Sequence, residues 1–153
     1  MKIKIKFASD EVRKIYQESL TRGIEWSYGD SGIDLRSIED DFIIQPGETR
    51  IIQSGIAFEM TDCDNDCYEV QLRPRSSMSK RGILCHFGTI DFNYRGFMGI
   101  NLSNISDQPF EIKKGDRINQ MVIAPVLKPT IEFTDELSET ERNAGGFGST
   151  GRM

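Results

Sequence analysis

Apolar and β-branched residues in this chain come in short runs, closed again and again by turn formers, and that rhythm leaves little room for anything but strands. Residues 2–7 alternate Lys with Ile, and 41–44, 49–58, 68–72, 98–102 and 120–126 are further β-rich runs. Between them stand Pro46-Gly47, the Asp-rich 62–66 stretch and Lys114-Gly115-Asp116. Short strands with frequent turns predict an all-β sandwich or barrel-like fold. A single helix is expected near the start, where Val12, Ile15, Tyr16 and Leu20 recur at helical spacing between Ser9 or Asp10 and Gly23, and it is read as a surface element.

A length of 153 residues fits one domain with a real core. The charged fraction of 28% and apolar fraction of 37% are those of an ordinary soluble protein rather than a disordered one. No run reaches the length of a membrane span, and the N-terminus lacks the continuous apolar stretch of a signal peptide. A cytoplasmic location is expected, or a nuclear one in a eukaryotic or viral setting. Cys63, Cys67 and Cys85 are an odd set with no secretory signal, so reduced thiols are expected. The net charge of -5 argues against a broad nucleic-acid-binding face, so an anionic ligand would need locally concentrated positive charge.

Three segments carry chemistry. The stretch 73–82 packs Arg73, Arg75, Lys80 and Arg81 together with Ser76, Ser77 and Ser79, which suits a triphosphate as well as it suits a solvated basic loop. In Gly88-Thr89-Ile90-Asp91-Phe92-Asn93-Tyr94-Arg95-Gly96, Asp91 stands between apolar residues at the mouth of a predicted hairpin. A carboxylate there could hold and deprotonate a water, or simply cap a turn. The tail, Arg142-Asn143-Ala144-Gly145-Gly146-Phe147-Gly148-Ser149-Thr150-Gly151, contains a G-x-G-x-x-G pattern, but no helix can follow it and no Lys precedes the Ser-Thr pair. What remains is a run of backbone N–H groups with two hydroxyls and an Arg, suited to wrapping a polyphosphate, with Phe147 available to cover a base. Composition alone would leave it a disordered tail.

Taken in order, Ser31-Gly32-Ile33-Asp34-Leu35-Arg36-Ser37, residues 74–83, residues 88–104, Lys114-Gly115-Asp116-Arg117-Ile118-Asn119-Gln120-Met121 and the glycine-rich tail resemble the five motifs of the trimeric dUTPase family. The resemblance implies a jelly-roll-like β-barrel over residues 1–141 and a C-terminal glycine-rich arm over 142–153. It further implies a homotrimer with three shared active sites, each closed by an arm. It implies hydrolysis of dUTP to dUMP and pyrophosphate, which limits uracil in DNA and supplies dUMP for thymidylate synthesis. Asp91 would be the general base aiming water at the α-phosphorus, and Tyr94 would stack on the deoxyribose and exclude a 2′-hydroxyl. Backbone groups near Gly88, Thr89, Ile90 and Gly99 would pair with uracil. Arg75, Ser76, Ser77 and Gln120 match ligands of the α- and β-phosphates; Arg142, Gly148, Ser149 and Thr150 match those of the γ-phosphate, with Phe147 as lid. A magnesium ion would ride on the phosphates and water, with Asp34 ordering its waters rather than binding it directly.

The chain departs from that pattern in its compact 83–87 segment with His86-Phe87, in Asn143 where a glycine is usual, and in a longer 10–28 segment containing Trp26. Other readings are weaker. Asp62, Asp64 and Asp66 open like a calcium loop, but Cys67 and Arg73 occupy the positions of its Gly and Glu. Cys63 and Cys67 lack a second pair of metal ligands, and His86 reads as a packed or partly exposed side chain. A dCTP deaminase shares the fold, but needs a glutamate where this chain has Asn101. A sensor that binds dUTP and captures or releases a regulatory protein partner is compatible with a ligand-ordered arm. Such a sensor would not need Asp91, which places hydrolysis first.

Overall fold

The computed structural model describes residues 1–20, 30–63 and 67–144, the side chains of 18–20 excepted. Trp26, the centre of the Asp-rich loop and the Phe147 to Thr150 part of the tail lie outside the described residues. The order of elements is β1 (Lys2–Phe7), α1 (Asp10–Leu20), β2 (Ile33–Arg36), β3 (Phe42–Ile44), β4 (Thr49–Gln53), β5 (Ile56–Thr61), β6 (Tyr68–Arg73), α2 (Ser76–Ser79), β7 (Ile83–Cys85), β8 (Gly88–Ile90), β9 (Gly99–Asn104), β10 (Phe110–Ile112) and β11 (Arg117–Pro125). These strands form a four-stranded sheet β2-β11-β6-β8, a three-stranded sheet β4-β9-β7, and the pairs β1-β5 and β10-β3. The ladders are antiparallel, and their inner faces meet in one cluster that includes Leu35, Ile52, Phe58, Val70, Ile100, Leu102, Ile118 and Met121. This is the all-β architecture that the strand rhythm predicts and the jelly-roll-like form that the family resemblance implies. Among the described residues, no helix is long and apolar enough to cross a membrane.

The structure corrects the sequence reading in three places. The 49–58 run is two strands, because Ser54-Gly55 turns the chain from β9, the partner of β4, to β1, the partner of β5. Gly55 adopts φ +65, and both the amide and the hydroxyl of Ser54 donate to the Met98 carbonyl, at 3.1 and 2.8 Å. Helix α1 is more than a surface element: its inner face sinks Val12 and Tyr16 into the core, to 6% and 2% exposure. The segment 88–104 is not a simple hairpin, since β8 pairs with β6 while β9 pairs with β4 and β7. Asp91 therefore stands where the chain crosses from one sheet to another.

Cys63, Cys67 and Cys85 are free thiols. Burial pushes the Cys85 thiol up from its ordinary pKa, against the opposing hydrogen bond from the Asn119 amide.

Candidate active site

Strand register gathers one cationic cluster. Gln120 on β11 lies opposite Asp34 of β2 on one side and Arg73 of β6 on the other, and Arg117 pairs with Arg36. The chain then leaves β6 through Pro74 into α2, with Arg75 at its N-cap. Arg75 Nε lies 2.9 Å from Asp34 Oδ1, and Arg117 Nη1 lies 3.2 Å from Asp34 Oδ2. A second fork nitrogen of Arg75 donates to the Arg117 carbonyl at 2.9 Å, and the Gln120 amide donates to the Pro74 carbonyl at 3.0 Å. Burial lowers the pKa of Arg36, with Arg117 adding to that effect and Asp34 opposing it. Two guanidinium groups, those of Arg75 and Arg117, thus share one carboxylate, with the Arg36 guanidinium near enough to feel their charges, an arrangement suited to a polyphosphate. Ser76 and Ser77 are exposed beside it. They occupy the first turn of α2, where backbone N–H groups lack intrahelical acceptors.

A second locus lies at the other end of β6. The β6-β8 ladder runs from Leu72↔Gly88 to Val70↔Ile90, and extending it brings Asp91 level with Glu69. Both carboxylates line an open cleft of 360 Å³ together with Tyr68, Phe92, Asn93, Val126 and Lys128. The chain turns immediately, with the Tyr94 amide donating to the Asp91 carbonyl at 3.0 Å. Arg95 braces the turn by donating to the carbonyls of Phe92 and Tyr94, at 2.8 and 3.0 Å. Tyr94 is 44% exposed. Its ring lies directly over Gly96, where a Cβ would collide with it and displace it. A Cβ on Gly99 would stand 2.9 Å from Ile51, so the backbone runs close at that point too. Thr89 is exposed, while Gly88 and Ile90 are half-buried.

The two loci share the outer face of the four-stranded sheet, but they do not meet. The level of Asp91, opposite Glu69, and that of Gln120, opposite Arg73, are four residue steps apart along β6, or about 13 Å of strand. Gln120 and Arg75 point their polar ends further away, towards Pro74, Asp34 and Arg117. Arg142 is exposed near the end of the described chain. Strand register, which pattern alone does not reveal, also adds Arg36 and Arg117, two residues to which motif order assigns no role.

Residues 24–151 match the family described as dUTPase. A deoxyuridine 5'-triphosphate nucleotidohydrolase of Nautilia profundicola is 49% identical over 145 residues, covering 93% of this chain and 98% of the relative. The chain belongs to the dUTPase family. A second dUTPase relative, from a Hydrogenobaculum species, is 47% identical over 126 residues, 80% of this chain and 85% of its own. Among solved structures, a mutant dUTPase of Staphylococcus bacteriophage 80alpha with dUpNHpp superposes with a TM-score of 0.78 at 24% identity, covering 99% of both chains. The dUTPase of phage phi11 of S. aureus, whose structure concerns the coordination of a structural Mg(II) ion, gives 0.74 at 20% identity, over 91% of this chain and 100% of that one. At such identities the two phage dUTPases speak for the shared fold.

Proposed function

We propose that this chain is a dUTP nucleotidohydrolase that cleaves dUTP to dUMP and pyrophosphate. The observation that carries the reading is the arginine cluster around Asp34, on a sheet face that also bears Asp91, in a chain of the dUTPase family. Asp91 holds a water and takes its proton as the oxygen attacks the α-phosphorus. The α–β bridging bond breaks and pyrophosphate leaves with the bond's electrons. Arg75, Gln120 and the first amides of α2 bind the α- and β-phosphates, while Arg142, Gly148, Ser149 and Thr150 take the γ-phosphate and Phe147 covers uracil. Tyr94 rests on the deoxyribose, and the backbone at Gly88, Thr89, Ile90 and Gly99 reads the base edge, where close packing leaves no room for a methyl.

Magnesium enters with the substrate, as Mg·dUTP. Among the described residues no group of three His, Cys, Asp or Glu side chains is placed to hold a metal ion. Each Asp34 oxygen already accepts from one guanidinium, and its remaining lone pairs suit water ligands of the ion rather than the ion itself. The ion supplies neutralisation of the phosphate charge. In the cell this chemistry limits uracil in DNA and supplies dUMP.

The separation of the two loci supports a trimer with shared sites. A base, a water and a phosphate bound by its ligands span roughly 9 Å, less than the strand that parts Asp91 from Gln120 within one chain. A neighbouring subunit's arginine cluster completes the site at Asp91. Beyond β11 the chain is also strongly exposed, with Leu127 at 92%, Ile131 at 77%, Phe133 at 95% and Leu137 at 87%. Apolar side chains so displayed belong against another subunit. The reading is tested by assaying pyrophosphate release from dUTP, dCTP, dTTP and UTP with and without magnesium. Selective, magnesium-dependent turnover of dUTP is expected; turnover of dCTP or UTP at a similar rate would overturn it.

A further inference from the structure

Helix α1 contributes nothing to the chemistry above, yet its inner face converges on the arginine cluster. The buried Tyr16 hydroxyl donates to the Ser54 carbonyl at 2.8 Å and accepts the Arg36 backbone amide at 2.9 Å. The Arg36 guanidinium donates in turn to the Gly115 carbonyl. From the same helix, Ile15 approaches the glycine directly, its Cγ2 lying 3.9 Å from where a Gly115 Cβ would stand. Glu11 meets Lys114 at 2.7 Å. The turn they touch is stitched to β2, the Gly115 amide donating to the Ser37 carbonyl at 2.8 Å and the Ser37 amide to the Asp116 carbonyl at 3.0 Å. That turn opens β11 at Arg117, the residue whose guanidinium reaches Asp34 and whose carbonyl holds Arg75.

We propose that α1 is a built-in support for the triphosphate site, with Tyr16 as its positioning residue. Tyr16 fixes the backbone at Arg36; Arg36 and Ile15 fix the 114–116 turn; the turn fixes Arg117 and, through it, Arg75. Surface turns and long arginine side chains are otherwise free to sample many geometries, and phosphate ligands bind best when held in place beforehand. The inference rests on the dUTP-hydrolysis reading and adds to it a role for the helix of the lengthened N-terminal segment.

The test compares Tyr16→Phe, Ile15→Ala and Val12→Ala. Val12 is the control, being on the same helix but packed at Gly55, where a Cβ would lie 2.8 Å from its Cγ1, instead of at the 114–116 turn. Three quantities are measured below the unfolding transition: KM and kcat for Mg·dUTP, affinity for inorganic tripolyphosphate by calorimetry, and Tm. Tyr16→Phe should raise KM about five- to tenfold with kcat within about twofold, and weaken tripolyphosphate by a similar factor. Ile15→Ala should move both in the same direction, whereas Val12→Ala should lower Tm alone. Unchanged KM and tripolyphosphate affinity in both test variants would overturn the proposal, as would a Val12→Ala effect on them of equal size. If Tyr16→Phe does not fold, Ile15→Ala decides against the same control. A wild-type chain that binds tripolyphosphate without cleaving dUTP would sink the hydrolysis reading and leave the triphosphate affinities to judge the helix.

Discussion

Arg75 and Arg117 are locked to each other twice, once through the carboxylate of Asp34 that both guanidinium groups share and once through the Arg117 carbonyl that accepts from Arg75 at 2.9 Å. The pairing keeps two cations side by side, which their mutual repulsion would otherwise oppose, and holds them as one unit.

Asp34→Asn should therefore damage function more than fold. The carboxylate is 34% exposed, so solvent screens its ion pairs and their loss should cost no more than about 1 kcal/mol of stability. The released arginines lose their fixed geometry, and kcat/KM for dUTP should fall by roughly ten- to a hundredfold. Steady-state kinetics beside a thermal melt separates the two effects; a large drop in Tm with intact kcat/KM would reverse the assignment.

Asp91→Asn keeps the shape of the cleft and removes the proposed proton acceptor. Turnover should drop by about 10²- to 10⁴-fold while a non-hydrolysable dUTP analogue binds with unchanged affinity. Near-normal turnover in that variant would show another group to be the base.

The Tyr16 phenol predicts an alkaline limit to stability. Burial raises its pKa from 10.0 to about 12, against the hydrogen bond from the Arg36 amide. The folded pKa lies above the unfolded one, so this stability is complete below pH 10 and is lost as pH rises through about 12, by on the order of 2 to 3 kcal/mol. Denaturant titrations from pH 9 to 12 should show that loss in the wild type, with a smaller slope in Tyr16→Phe, which has no phenol to ionise. Parallel curves would mean that Tyr16 does not govern the alkaline transition.

Much of the β architecture is readable from local pattern, because alternation in β1 and β6 and the clustered β-branched residues of β11 report burial directly. The break at Ser54-Gly55 is not, since the Met98 carbonyl that captures Ser54 comes from a distant part of the chain. Motif order points to Asp34, Arg75, Gln120 and Asp91. It does not show that register brings the first three together and leaves Asp91 apart, nor that Arg117 joins them. Helical spacing finds Val12, Ile15 and Tyr16, but the Tyr16 hydroxyl is held by the backbone at Ser54 and Arg36, which no side-chain pattern encodes.

The separation of the two loci makes the sharpest demand on the account, namely that Asp91 and the arginine cluster of one working site come from different chains. Inactive Asp91→Asn and Arg75→Ala chains, unfolded together in equal amounts and refolded, should recover about a quarter of wild-type pyrophosphate release, because random assembly of a trimer places an intact Asp91 beside an intact Arg75 that often. A mixture no more active than its two components would contradict the account and place both groups of the site within a single chain.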